Sequence, residues 1–232
     1  AILGGNLLEG GALSSLFNGP AALIVVGGTF AATILQTSWP TLKRAFTQVR
    51  WVFIPPFISL EDGIGKVIDW SVKARKQGLL GLEGLAAREP ELFARKGLQL
   101  LVDGAETETI RSIMEVDLES REQRDQESAR VFEAMGGYSP TIGIIGAVMG
   151  LIQVMTNLED PQSLGGGIAT AFVATIYGVA LANLLFFPIA NKMRGIVRDR
   201  TRYEDMMIDG IIAIAEGENP KSIELRLRGF LQ

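Results

Sequence analysis

The 232-residue chain contains neither cysteine nor histidine. Without cysteine there is no disulfide and no thiolate metal site. Without histidine the chain lacks the commonest general base, the commonest metal ligand and the usual pH switch. Zinc sites and most hydrolytic triads are thereby excluded, and an enzyme would have to work with Asp, Glu, Lys and Tyr alone. The net charge of -4 gives no sign of a nucleic-acid partner. No nucleotide-binding glycine loop exists either, because Gly165-Gly166-Gly167 has no lysine after it. No convincing strand pattern occurs anywhere. A further absence is local: residues 10–42, 134–158 and 161–191 contain no Lys, Arg, Asp or Glu.

What is present falls into two populations. The chain is 47% hydrophobic and yet 21% charged, with a mean hydropathy of +0.25. A bilayer-spanning helix needs about 20 predominantly apolar residues, and each of the three uncharged runs is long enough. The spacing predicts complete spans over about 20–39, 138–157 and 165–189. Asn18-Gly19-Pro20 reads as a turn before a helix-starting proline. Trp39 stands where an interfacial aromatic belongs, and Lys43, Arg44 and Arg50 follow it. The apolar start Ala1 to Leu8 reads as the end of an earlier span, largely absent from this chain.

The charged region between the spans predicts helices. Pro55-Pro56 breaks the chain, and Ser59 is an N-cap candidate with Asp62 three residues on. Ile64, Val67, Ile68 and Val72 form an apolar stripe at helical spacing. Gly78 interrupts; Leu79, Leu80, Leu82 and Leu85 begin a shorter helix, and Pro90 another carrying Leu92, Phe93, Leu98 and Leu101. Residues from Glu106 to Met135 read as one long helix running into the next span. Cations cluster in 43–133 and after 192, whereas the connection Asn157 to Ser163 has two acids and no cation. The positive-inside rule then places 43–133 and the end of the chain in the cytoplasm, with Gly10-Gly11 and the 157–163 turn outside. The reading is all-α: a polytopic membrane protein of four transmembrane helices, the first largely missing, with a cytoplasmic helical domain between the second and third. Its parts are 1–42 (end of the first span, outward turn, second span), 43–133 (cytoplasmic domain), 134–191 (third and fourth spans) and 192–232 (cytoplasmic tail).

The complete spans keep no ionisable carboxylate or amine, so a proton crossing there needs a carboxylate from another chain. A passive anchor is the plain alternative. Against it stand small residues spaced for close helix packing: Gly146 and Gly150 on one span, and Ala174, Gly178 and Ala182 on the next. Thr170, Thr175, Tyr177 and Asn183 add uncharged polar groups, which serve as interhelical hydrogen bonds or line a wet path. Pro140 and Pro188 read as bends or as hinges.

These residues resemble the MotA/PomA family of flagellar motor stator subunits, nearest to the MotC-type branch. The likeness is densest in Gly143 to Leu151, Ala174 to Gly178 and Asn183 to Ala190, with support from Leu7 to Gly28 and Glu159-Asp160-Pro161. It implies a homopentameric ring in the bacterial inner membrane. It also implies a single-span MotB-type partner that brings the proton-accepting Asp, and contact with the rotor switch protein FliG. In Ala74 to Glu83 it puts the rotor-facing charges on Arg75 and Glu83 and a second cation on Lys76; the family's further acid is replaced by Gly84. It assigns Pro140 and Pro188 to torque coupling. Sodium-driven relatives carry two threonines by the ion path; Thr175 keeps one and Ala147 replaces the other, which implies H+ as the transported ion. No cofactor and no enzymatic activity are implied. The alternative within the same superfamily is an ExbB/TolQ-like energiser, whose three spans and loop arrangement fit less well.

Overall fold

The structure is a computed structural model and describes residues 16–156 and 161–231. The expectations for Ala1 to Glu9, Gly10-Gly11 and the connection at 157–160 lie outside the described residues. Among those residues every regular element is helical. In order they are α1 (Gly19–Gln36), α2 (Trp39–Gln48), α3 (Leu60–Gln77), α4 (Glu83–Ala86), α5 (Leu92–Val102), α6 (Thr107–Thr156), α7 (Pro161–Ala180), α8 (Phe187–Ala215) and α9 (Pro220–Leu227). Single-turn 3-10 pieces cover Val49–Val52, Leu79–Leu82 and Arg228–Leu231. A π-helical turn, Leu181–Phe186, joins α7 to α8. Three stretches are long and apolar enough to cross a membrane: Gly19–Gln36, Thr107–Thr156 and Leu164–Ala215.

Two compact units divide the chain. One comprises Ala1–Phe53 and Glu127–Met193, the other Ile54–Gln126 and Arg194–Gln232. The first holds Gly19–Gln36 and the portions of the other two stretches within residues 127–193. α1 starts on Asn18, whose side-chain oxygen accepts from the Ala21 N–H at 2.9 Å, with Pro20 preset for the first turn. Its buried hydroxyls, Thr29 and Thr33, donate one turn back to the carbonyls of Val25 and Thr29, so no polar group in α1 is left bare. The first span was expected to reach Trp39. The chain instead turns at Thr37 and Ser38, and Trp39-Pro40 begins α2. Proline suits a first helical turn and cannot continue the previous helix. α2 buries Leu42 and Ala45 in a cluster with Ala129, Phe132, Met135, Phe186, Ala190 and Met193.

The second unit is a helical bundle. Ser59 caps α3 by accepting from the Asp62 N–H at 3.1 Å, as the sequence predicts. Gly78 ends the helix with φ 72°, a conformation that favours glycine. The core packs Val67 and Trp70 of α3 with Leu82, Phe93, Leu98, Leu101, Ile110 and Met114. Residues 192–232 are not a trailing tail within this unit. Met206, Met207, Ile211 and Ile212 of α8 and Ile223 and Leu227 of α9 are all within 1% of complete burial. Apolar residues at helical spacing give α8 and α9 one face to bury.

Candidate functional site

The membrane-type unit is organised by a seam of small residues between α6 and α7. A Cβ on Gly150 would lie 2.8 Å from the Gly167 carbonyl oxygen and 2.9 Å from the Ala171 nitrogen. One on Gly146 would lie 2.9 Å from the Ala174 Cβ. One on Gly143 would meet the Ala174 carbonyl oxygen at 2.8 Å, and one on Gly178 would meet that of Ser139 at 2.5 Å. Two backbones can touch in this way only where side chains are absent. The seam joins Gly146, Gly150, Ala174 and Gly178, as their spacing predicts. Ala182 is fully buried, in the π turn beyond. Gly143, Gly167 and Ala171 also form the seam and escaped the sequence reading. Gly143 was findable, since it continues the Gly146–Gly150 face one turn earlier.

Ala147 and Thr175 each follow a residue of the seam, so the Gly146–Ala174 contact sets them at one level on adjoining helices. Ala147 is half-buried; Thr175 is exposed and its hydroxyl donates to the Ala171 carbonyl at 3.2 Å. Tyr177 sits apart from this pair in its bonding. Its hydroxyl donates to the Leu16 carbonyl and accepts from the Asn18 N–H at 3.3 Å. The Asn18 amide in turn donates to Thr170 at 2.9 Å. These bonds tie the start of α1 to α7. The sequence reading missed Asn18 in this role, because a cap residue's second partner, 152 positions away, leaves no local signal.

The two prolines sit in different local settings. Pro140 lies inside α6 and deprives the Gly136 carbonyl of its usual donor. Gly136 has no side chain, and a Cβ there would be 2.7 Å from the Phe187 ring. Phe187 immediately precedes Pro188, whose ring would clash with the Leu184 carbonyl in a regular α-helix. The π turn Leu181–Phe186 widens the helix just there. Beside Pro140, the Ser139 hydroxyl is completely buried with no hydrogen-bond partner.

In the other unit, Arg75, Lys76 and Glu83 are all exposed. The cations occupy the last turn of α3 and Glu83 the first turn of α4, the ends at which their charges favour the helix dipoles. A separate set of charges is buried. Glu204 (2% exposed) lies 3.0 Å from Arg200 and 3.9 Å from Arg121, and Arg200 reaches the equally buried Asp125 at 3.5 Å. Burial pushes the Glu204 carboxyl up, against the lowering pull of Arg200 and Arg121. Burial, together with the hydrogen bond to Glu91, pushes the Tyr203 hydroxyl up as well, so it stays a donor at 2.8 Å. Lys66 pairs with the buried Glu89 at 2.9 Å. None of these pairs was read from the sequence.

A helical protein that spans a membrane several times is the class this arrangement defines. Residues 86–206 match the family described as MotA/TolQ/ExbB proton channel family. The chain is 35% identical to Motility protein A of Bacillus subtilis over 98% of its own length and 84% of that protein's. It is 32% identical to Chemotaxis protein PomA of Vibrio alginolyticus, over 97% of this chain and 88% of that one. The solved structure of C. jejuni MotAB superimposes with a TM-score of 0.93 at 32% identity, covering 98% of this chain and 89% of the other. That of the flagellar MotAB stator complex from Bacillus subtilis gives 0.90 at 34% identity, covering 98% and 90%. The chain belongs to the MotA/TolQ/ExbB proton channel family.

Proposed function

We propose that this chain is the ring-forming stator subunit of a bacterial flagellar motor, and that it couples proton flow across the inner membrane to torque on the rotor. The observation that carries the reading is the near full-length likeness to motility proteins and to MotAB stator structures, at 32–35% identity. Those relatives favour the motor over an ExbB/TolQ-like energiser. The chemistry of the spans agrees. They hold no Asp, Glu, Lys or Arg, so the chain supplies the uncharged wall and a MotB-type single-span partner supplies the titrating Asp. The spans then belong to the membrane, with 43–133 and 192–232 on the cytoplasmic side. The chain works as one member of a homo-oligomer, taken to be a pentamer, and not as an enzyme.

Arg75, Lys76 and Glu83 are the rotor-facing charges, directed at FliG. An exposed ion pair adds only about 0–1 kcal/mol, and its effect falls on encounter and register. Arg75→Ala and Glu83→Ala should each lower motor torque while membrane insertion stays normal. Swimming at full speed, with this stator as the sole one in the cell, would count against the assignment. Ala147 offers no side-chain oxygen to replace the hydration shell of Na+, whereas a proton needs only a carboxylate and a hydrogen-bonded route. Motor speed should therefore follow the proton gradient. Speed that tracks external Na+ at fixed pH would reverse this choice. The decisive test of the whole reading is co-purification from the membrane. A single-span protein with an intramembrane Asp and a peptidoglycan-binding domain supports the stator. A partner reaching an outer-membrane receptor selects the alternative.

A further inference from the structure

α2 and the 3-10 turn after it carry two adjoining faces, one residue or about 100° apart. Leu42, Ala45, Val49 and Val52 point into the cluster formed with Phe132, Met135 and Phe186. The other face is Trp39, Lys43, Phe46, Arg50 and Phe53, spaced by 4, 3, 4 and 3 residues. That spacing is a single helical stripe in which aromatics and cations alternate. Trp39 is 71% exposed and Phe53 78%; Phe46 keeps 40% while its ring stacks on Phe30 and meets Phe132 edge-on. Lys43 and Arg50 are exposed and form no ion pair among the described residues. From residue 10 to residue 60 the chain has no acid to offer them.

We infer that this stripe is a binding surface for anionic phospholipid, with Lys43 and Arg50 holding headgroup phosphates and Trp39, Phe46 and Phe53 seated among the first acyl carbons. Three observations point to lipid as the occupant. First, only Thr37 and Ser38 separate α2 from the end of α1. Ile34 (49% exposed) and Leu35 (89%) near that end present the apolar surface that a span turns toward acyl chains. The stripe continues that surface. Second, its charge is of one sign, and basic groups beside a span attract the anionic leaflet at short range. Third, aromatic rings and long cations are the two side-chain types that partition to the headgroup level. The adjoining face, Leu42, Ala45, Val49 and Val52, is committed to the protein core, so α2 cannot rotate to hide the stripe. The surface makes binding selective for anionic over zwitterionic lipid, which the neutral walls of the spans cannot do.

The test uses the full stator complex in bilayers of mixed lipid. The chain has no cysteine, so Phe53→Cys labelled with a fluorophore gives a defined probe on this chain. Quenching is compared between brominated phosphatidylglycerol and brominated phosphatidylcholine at equal mole fraction. The expected result is stronger quenching by phosphatidylglycerol. Lys43→Gln and Arg50→Gln should each cut that preference by about fivefold, the share of one basic group near an anionic surface. A probe at Leu225→Cys, exposed in the other unit, should show neither quenching nor preference. Equal quenching by the two lipids would overturn the inference. So would a probe at position 53 that no lipid quenches, because water, a second copy or the partner then occupies the stripe. The measurement on Lys43 and Arg50 intact does not depend on any charge variant folding.

Discussion

At the scale of single residues, the membrane-type unit depends on what is missing from Gly178. A Cβ there would come within 2.5 Å of the Ser139 carbonyl and 3.1 Å of the Gly143 and Pro140 Cα atoms. All of these are backbone atoms that cannot step aside cheaply. Gly178→Ala should therefore destabilise the purified complex by about 1–3 kcal/mol, as overpacking does elsewhere, read as a lower melting temperature. Gly195 is the internal control. It is also helical, but nothing lies within 4 Å of a Cβ at that position. Gly195→Ala should stabilise by about 0.5–1 kcal/mol, through the lower helix cost of alanine. If both substitutions moved the melting point the same way, the seam would not be what holds α6 against α7. The same scale shows the limit of sequence reasoning. Spacing predicts that Gly146 and Gly150 face a helix; it does not say that Ala174 receives the first and Gly167 and Ala171 the second.

At the scale of elements, Pro188 and the π turn before it form one feature. Proline removes a backbone donor and crowds the carbonyl four residues back, and a π turn relieves that crowding before Pro188. Pro188→Ala removes the reason for the wide turn. On the torque-coupling assignment it should lower torque in a swimming or tethered-cell assay, at unchanged stator abundance in the membrane. Unchanged torque would reduce Pro188 to a bend. The Phe187 ring beside Gly136 packs the start of α8 against α6, a pairing of positions 51 apart that the sequence does not show. α2 teaches the same lesson. The use of Pro40 in the first turn of a new amphipathic helix required knowing that Leu42 and Ala45 have a core to enter.

At the scale of the whole molecule, each unit has its own apolar core, and the unit built from Ile54–Gln126 and Arg194–Gln232 adds the buried pairs Lys66–Glu89, Arg200–Glu204 and Arg200–Asp125 to it. Burial raises the Glu204 carboxyl above its ordinary 4.5, which means that the fold favours the neutral acid. That contribution is full below 4.5 and is lost as pH rises through the raised value. Glu204→Gln fixes a neutral side chain. Its melting temperature relative to the unsubstituted protein should therefore climb as pH rises from about 4 to about 8. A difference that stays flat over that range would show that Arg121 and Arg200 fully offset the burial.

The amino-acid sequence by itself determined the helical class, the three uncharged spans, the absence of any carboxylate or amine within them and the cap at Ser59. Each of these follows from composition or from spacing along a few turns, and neither depends on distant residues. Tertiary structure alone decided which small residues meet across the seam and that Tyr177 anchors the start of α1. It also decided that the last forty residues build a core and that α2 turns an aromatic and basic stripe outward. Those facts are pairings between positions far apart in the chain, and a pairing is fixed by mutual fit in space, which local periodicity does not encode.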